Sequence, residues 1–158
     1  MPFVASLDEL KSIVAQERKK GKRIVTTNGC FDLLHLGHVR YLQEAQKLGD
    51  LLIVGINSDE SVRRLKGENR PLNSETDRAE VVAALRWVDY TFVFREDNPV
   101  RFVEELKPDV HAKGGDYTLD RIIERKAVEA GGGKVVLLGM VKGKSTTGLI
   151  NQFKDHRT

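Results

Sequence analysis

The run Leu51-Leu52-Ile53-Val54-Gly55-Ile56 has no polar side chain. A strand with one wet face alternates polar and apolar residues. An unbroken apolar run therefore predicts a strand covered on both faces, as in a parallel sheet sandwiched between helices. Ile24-Val25-Thr26-Thr27, Tyr90-Thr91-Phe92-Val93-Phe94 and Val135-Val136-Leu137-Leu138 predict three further strands. Asp109-Val110-His111-Ala112-Lys113 is a strand by its position rather than by propensity.

Helical spacing fills the intervals. Ser6-Leu7-Asp8-Glu9 has the form of a capping box, and Leu7, Leu10, Ile13 and Val14 make one apolar face, so a helix is predicted from Leu7 to about Lys19, finished by a basic turn and Gly21. Val39, Leu42, Ala45 and Leu48 mark a second, and a short third runs from Ser61 to Leu65. Asn73 or Ser74 caps a fourth, with Val81, Val82, Leu85 and Val88 facing inward and Arg78 on its first exposed turn. Pro99 opens a helix to about Leu106, another spans about Leu119 to Ala130, and a last one starts in Gly143–Thr147 and runs through Phe153. Strands alternating with helices at these spacings predict an α/β fold with right-handed crossovers.

Bulk properties remove several classes. The 158 residues suffice for one core, and 40% hydrophobic with 31% charged residues suits a globular chain. No apolar run approaches the roughly 18 residues of a membrane span, and no basic segment precedes an apolar one at the N-terminus, so a cytoplasmic protein without a membrane partner is expected. Cys30 is the lone cysteine, which excludes an internal disulfide and a cysteine-based zinc site. The net charge of +3 is small and spread along the chain, and no nucleic-acid partner is expected from it.

Chemistry concentrates in Gly29-Cys30-Phe31-Asp32-Leu33-Leu34-His35-Leu36-Gly37-His38, which joins the first of these strands to the helix carrying Val39. A helix start offers unpartnered N–H groups and the positive end of the dipole, and so favours an anion. His35 and His38, three apart, are expected on one face of the first turn, where both reach the same phosphate. Asn28, Gly29 and Gly37 are small or turn-tolerant and let a ligand approach the main chain. A zinc site on the two histidines and Asp32 lacks the further Glu or His of the zinc-hydrolase helix pattern, so no metal is assigned to side chains. Asp32 is readable as a loop anchor through main-chain N–H groups or as a reacting group. Phe31 is readable as core or as a floor beneath a ligand.

His35-Leu36-Gly37-His38 fits an H-x-G-H signature, and in it the chain resembles the nucleotidyltransferase superfamily of cytidylyltransferases, adenylyltransferases and, more remotely, class I aminoacyl-tRNA synthetases. Lys113-Gly114-Gly115-Asp116-Tyr117 and Gly143-Lys144-Ser145-Thr146-Thr147-Gly148-Leu149-Ile150 follow in the superfamily's order, joined by Asn57-Ser58-Asp59 and Arg64-Leu65-Lys66-Gly67. From about Arg23 to Phe153 the chain resembles the adenylyltransferase half of the bifunctional heptose 7-phosphate kinase/heptose 1-phosphate adenylyltransferases.

The resemblance implies a Rossmann-like, doubly wound, five-stranded parallel sheet of order 3-2-1-4-5, with residues 23–158 as the nucleotidyltransferase domain and residues 1–22 as a helix packed on it. Ligands then sit beyond the carboxyl ends of the strands. It implies transfer of AMP from ATP to D-glycero-β-D-manno-heptose 1-phosphate, giving ADP-heptose for lipopolysaccharide core synthesis and pyrophosphate, with magnesium bridging the nucleotide phosphates. A homodimer is expected from the small members of the superfamily.

By the same resemblance His35, His38 and Lys66 are the catalytic groups. Asn28, Gly29, Cys30, Phe31, Gly37, Arg78, Lys113, Gly114, Gly115, Asp116, Lys144, Ser145, Thr146 and Thr147 are the nucleotide-binding ones. Lys66 and Arg78 are phosphate ligands in this reading. Cys30 contributes packing and main chain, Asp116 accepts from a ribose hydroxyl or amino group, and Ser145, Thr146 and Thr147 face the outer phosphates. Cytidylyltransferases of the superfamily begin the last block with an arginine and an acid, where this chain has Met140-Val141-Lys142-Gly143-Lys144, so Lys142 or Lys144 carries the charge. The alternatives are a cytidylyltransferase acting on glycerol 3-phosphate or another small phosphate, and a nucleotide-binding regulator without turnover. Intact His35, His38 and Ser145-Thr146-Thr147 argue against the regulator.

Overall fold

The apolar run becomes β3 (Leu51–Asn57), buried at every position, in a computed structural model that describes residues 3–115 and 117–155. It lies between β2 (Ile24–Gly29) and β4 (Tyr90–Phe94). On its far side β2 pairs with β5 (Val110–Gly114), and β5 with β6 (Lys134–Leu138), every pair being parallel. These five strands stand in the expected order 3-2-1-4-5. A sixth, β1 (Phe3–Val4), adds to the β4 edge. Two residues are too few for periodicity to reveal, and only the pairing with Tyr90 and Thr91 makes them a strand.

Successive residues of the strands feed opposite faces. Ile24, Leu51, Ile53, Phe92 and Phe94 meet one layer, made by Leu10 and Val14 of α1 (Leu7–Lys19), Phe102, Val103 and Leu106 of α5 (Val100–Leu106), and Val128 of α6 (Arg125–Ala130). Val25, Leu52, Val54, Ile56, Val110 and Ala112 meet the other, made by Leu42 and Ala45 of α2 (Leu36–Gln46) and Ala79 and Val82 of α4 (Glu75–Ala83). Two short stretches complete the set, α3 (Asp59–Lys66) and α7 (Thr146–Asp155). Among the described residues no helix is long and apolar enough to cross a membrane.

Three expectations are corrected. Val81 is 52% exposed, because the inner stripe of α4 is carried by Ala79, Val82 and Ala83. Arg78, expected on an exposed turn, is 1% exposed and belongs to that inner stripe. The helix from Leu119 to Ala130 is broken: a 3-10 turn at Leu119–Arg121 gives way to extended backbone at Ile122, and α6 starts only at Arg125. The break lets Ile122 and Glu124 turn inward, and both are buried.

Phe102 sits edge-on to Phe92 and Phe94, with ring centroids 5.0 and 5.2 Å away, over Gly55, where an added Cβ would stand 3.2 Å from both Phe102 and Phe94. Truncating a fully packed aromatic removes its burial and leaves a cavity, so Phe102→Ala is expected to lower unfolding stability by about 3–5 kcal/mol. Urea unfolding followed by circular dichroism measures it, and a loss well under 1 kcal/mol would show that this cluster is not core.

Candidate active site

The order of winding reverses about β2: β3 and β4 are added on one side of it, β5 and β6 on the other. At such a switch point loops diverge and leave a crevice beyond the carboxyl ends of the strands. Here the crevice is a cleft of about 610 Å³. Asn28 and Gly29 end β2 in its floor, Asn57 ends β3, and Lys113 and Gly114 end β5.

The turn leaving β2 is held by buried polar groups. Phe31 has φ of 48°, a left-handed conformation uncommon for a residue with a Cβ. The carbonyls on either side of it are pinned. The Arg78 Nη1 donates to Cys30 O at 2.6 Å, and Asn73 Nδ2 donates to Asp32 O at 2.8 Å. The rest of the Arg78 guanidinium donates to Asn73 O and to the Asp59 carboxylate. With all of these partners inside the protein and no place in the cleft lining, Arg78 is a clamp on the turn, and its reading as a phosphate ligand is corrected.

Asp32 is a second clamp. Its buried carboxylate accepts the N–H groups of Leu72 and Asn73 and the Nε of Arg70 at 2.7 Å. Burial alone would raise its pKa, but the N–H bonds from Asn73 and Leu72 and the Arg70 guanidinium outweigh it and hold the carboxylate below its ordinary value. Asp32 thereby aims Arg70, which lines the cleft with neither terminal nitrogen bonded to any described residue. Arg70 was missed in the sequence because it lies in a polar loop with no periodicity. Its sequence signal is the polar loop Lys66-Gly67-Glu68-Asn69-Arg70-Pro71, expected near the site mouth, which opens on Lys66, another cation in the lining without an ion pair among the described residues. Both act on the Cys30 thiol, whose pKa burial raises against the opposing pull of Lys66, Arg78 and Arg70; a protonated thiol is no nucleophile.

His35 is the N-cap of α2. Its Nδ1 accepts from Gly37 N at 3.1 Å, and His38 Nδ1 accepts from His35 N at 3.4 Å. The helix start is therefore not wholly unpartnered as expected: the Gly37 N–H is taken by the first imidazole. The rings stack with centroids 3.9 Å apart, and Phe31 stands 5.2 Å from His38. A Cβ at Gly37 would lie 2.8 Å from the His35 ring, so this position needs glycine. Burial lowers the pKa of His35, helped by Lys144, and lowers that of His38 to about 4, helped by His35. Both rings are neutral at pH 7. With each Nδ1 accepting, the single proton of each ring is on Nε2.

The late block lies against this helix. Thr146 donates its hydroxyl to Leu33 O at 3.0 Å, and Ser145 Oγ accepts from Gly148 N, so two of the three hydroxyls are engaged by the protein. The Thr147 hydroxyl lines the cleft with no hydrogen bond to a described side chain or carbonyl, and Lys144, beside His35, has no side-chain partner among the described residues. The structure thus gathers Asn28, Gly29, Cys30, Phe31, His35, Gly37, His38, Lys66, Lys113, Gly114, Lys144, Ser145, Thr146 and Thr147 around one cleft. Arg78 and Gly115 are outside the lining, Gly115 holding φ of 108° in the turn, and Asp116 lies outside the described residues. Sequence reasoning also missed Ile123, Met140 and Tyr117, exposed apolar groups in the β5–β6 half, and Glu124.

A family description, Cytidylyltransferase-like, matches residues 26–143. The chain is 55% identical over 150 residues to a protein of Geobacter sulfurreducens named bifunctional protein HldE, covering 95% of this chain and 31% of that one. A namesake from Campylobacter fetus is 48% identical over 151 residues, covering 96% and 31%. The chain therefore spans under a third of the length of these curated relatives. A crystal structure of the lipopolysaccharide core biosynthesis protein from Thermoplasma volcanium superimposes with a TM-score of 0.64 at 33% identity, over 78% of this chain and all (100%) of that one. A pantoate-beta-alanine ligase from Francisella tularensis shares the fold at 16% identity, with a TM-score of 0.63 over 100% of this chain and 78% of its own.

Two outcomes test this geometry. The His38 ring is expected to titrate near pH 4 by NMR, and a midpoint near 6.5 would contradict its burial. Because the folded pKa is depressed, His38 contributes stability that is present above about pH 6.5 and lost as pH falls toward 4. Arg78→Met orphans the carbonyls of Cys30 and Asn73 and is expected to cost at least about 2 kcal/mol in urea unfolding. A phosphate ligand would instead lose affinity with stability kept.

Proposed function

Because the chain belongs to the cytidylyltransferase-like family and is a nucleotidyltransferase, we propose that it is the adenylyltransferase that joins AMP from ATP to D-glycero-β-D-manno-heptose 1-phosphate, releasing pyrophosphate. The observation that carries this reading is the pair of stacked, neutral imidazoles at the switch point, each with its Nε2 proton free of the capping bonds. The likeness to a protein named for lipopolysaccharide core biosynthesis favours the heptose over other sugars.

In this reading an oxygen of the sugar phosphate attacks the α-phosphorus in line, the new P–O bond forms, and the bond to the β-phosphate breaks. The attacking phosphate is already an anion and needs no general base. Neutral histidines suit such a reaction: they donate to oxygens that gain charge in the transition state and keep their own protons. Lys66 and Arg70, which share the neighbourhood of Cys30, would take the phosphate of the acceptor, Arg70 through the paired edge that Asp32 leaves open. Lys144, Ser145 and Thr147, beside His35, would take the outer phosphates of ATP.

Magnesium belongs to the nucleotide in this scheme. Among the described residues no three His, Cys, Asp or Glu side chains form a metal cage, and the cleft carboxylates of Asp32, Asp97 and Glu124 are already bonded, to Arg70, to Arg64, and to His111 and Lys113.

Pyrophosphate release is the direct test, with each nucleoside triphosphate against a set of sugar 1-phosphates and glycerol 3-phosphate. ATP with heptose 1-phosphate is expected to turn over fastest. Preference for CTP with glycerol 3-phosphate would make it a cytidylyltransferase, and nucleotide binding without pyrophosphate would make it a regulator. His38→Ala is expected to lower kcat by about 100-fold or more, since one transition-state donor is worth that much. Arg70→Met is expected to raise KM for the sugar phosphate about tenfold or more while moving KM for ATP far less.

A further inference from the structure

Beneath the β5 edge of the cleft lies a buried polar chain that neither the motif nor the proposed chemistry uses. Thr26, His111 and Glu124 are 0%, 0% and 2% exposed. Thr26 Oγ1 and His111 Nδ1 are 2.8 Å apart, His111 Nε2 and Glu124 Oε1 are 3.2 Å apart, and Lys113 Nζ donates to the same Oε1 at 2.7 Å.

The protons on this chain follow from one another. Burial would raise the pKa of Glu124, but the bonds from His111 and Lys113 overcome it and bring it down to about 2, so the carboxylate is charged and only accepts. His111, whose pKa burial lowers against the pull of Glu124, is neutral and must donate through Nε2. Its Nδ1 therefore accepts from the Thr26 hydroxyl. Every polar atom along the line from β2 to Lys113 has one defined role, which is the condition for a rigid network.

Lys113 is the only member that reaches the cleft lining together with Glu124, and its ammonium lies 5.8 Å from the Tyr117 ring. Among the described residues Glu124 takes one of its three N–H donors, which leaves two to face a ligand. A lysine is otherwise a flexible arm that loses much rotamer freedom when a ligand fixes it. Glu124 reaches this place only because the chain leaves its helix at Ile122 and turns the carboxylate inward.

We propose that Glu124, braced by His111 and Thr26, is a positioning residue that holds the Lys113 ammonium at the cleft edge for the nucleoside triphosphate. The nucleotide as the group that Lys113 meets rests on the function proposed above. The holding of Lys113 does not.

The test is a double-mutant cycle with a readout that needs no turnover. By lysine-ammonium NMR, with Lys113 assigned through Lys113→Met, its N–H protons are expected to exchange slowly in the intact protein and several-fold faster in Glu124→Gln, which replaces a charged acceptor by a neutral one. In pyrophosphate assays Glu124→Gln is expected to raise KM for ATP about tenfold, with kcat and KM for the sugar phosphate changed far less, since a bond to a charged partner is worth about that factor. On the Lys113→Met background the same substitution should add nothing.

Glutamine keeps the size of the side chain and the shared oxygen of His111 and Lys113 but removes its charge. Glu124→Asp, which shortens the arm, is the second variant and should show the same rise and the same loss of protection. Equal exchange with and without Glu124, or a KM effect that persists when Lys113 is already gone, would overturn the proposal. If the intact protein turns over no nucleotide, the adenylyltransferase reading falls alone, and the exchange rates still decide whether Glu124 holds Lys113.

Discussion

The cleft depends on a backbone turn that would not hold itself. Phe31 stands in a left-handed conformation between two carbonyls, and one buried guanidinium and one asparagine amide grip those carbonyls from the α4 side. Without that grip the chain would relax at Phe31 and carry the imidazoles with it, because His38 stands against the Phe31 ring and His35 caps the helix that follows. A strained main-chain geometry survives only where its surroundings over-determine it. Here residues 70–78 do so: Arg70, Asn73 and Arg78 all donate, and the Asp32 carboxylate and the carbonyls of Cys30 and Asp32 accept.

The same clamp sorts the cations. Arg78 is neutralised by Asp59 and fully enclosed, and Arg64 is paired with Glu60 and Asp97 outside. Lys66, Lys144 and the outer edge of Arg70 remain facing the cleft. Lys113 is balanced by Glu124 and adjoins the apolar Tyr117, Ile123 and Met140. Uncompensated charge therefore collects around the turn and the start of α7, where phosphates are proposed to lie. The β5–β6 half pairs Lys113 with Glu124, adds the cation of Arg121 at its rim and is otherwise partly apolar, which suits the base and sugar of a nucleotide.

Much of this was legible in the residues. Continuous apolar runs announced doubly covered strands, and α1 begins and ends where its capping box and basic last turn put it. What was hidden shares one cause: a polar side chain buried by tertiary partners looks, in sequence, like one that is exposed. Arg78 follows a serine cap in a charged stretch, and nothing local reveals that Cys30, 48 positions earlier, needs its guanidinium. Glu124 sits in a segment whose spacing suits an uninterrupted helix. The pull that breaks it comes from His111 and Lys113 on another strand. Propensity yields when a nonlocal network is fully bonded.

The histidine motif shows why these two side chains have no simple substitute. Each ring must accept a main-chain N–H at Nδ1 to complete the start of α2 and donate from the opposite nitrogen into the cleft. A lysine donates but cannot accept. A serine accepts and caps but is too short to reach a ligand as well. A protonated imidazole would lose the cap, since both nitrogens then donate. Capping and donation thus require the same neutral tautomer. Burial, which keeps the His38 pKa near 4, secures it, so the fold and the proposed chemistry are held by a single protonation state.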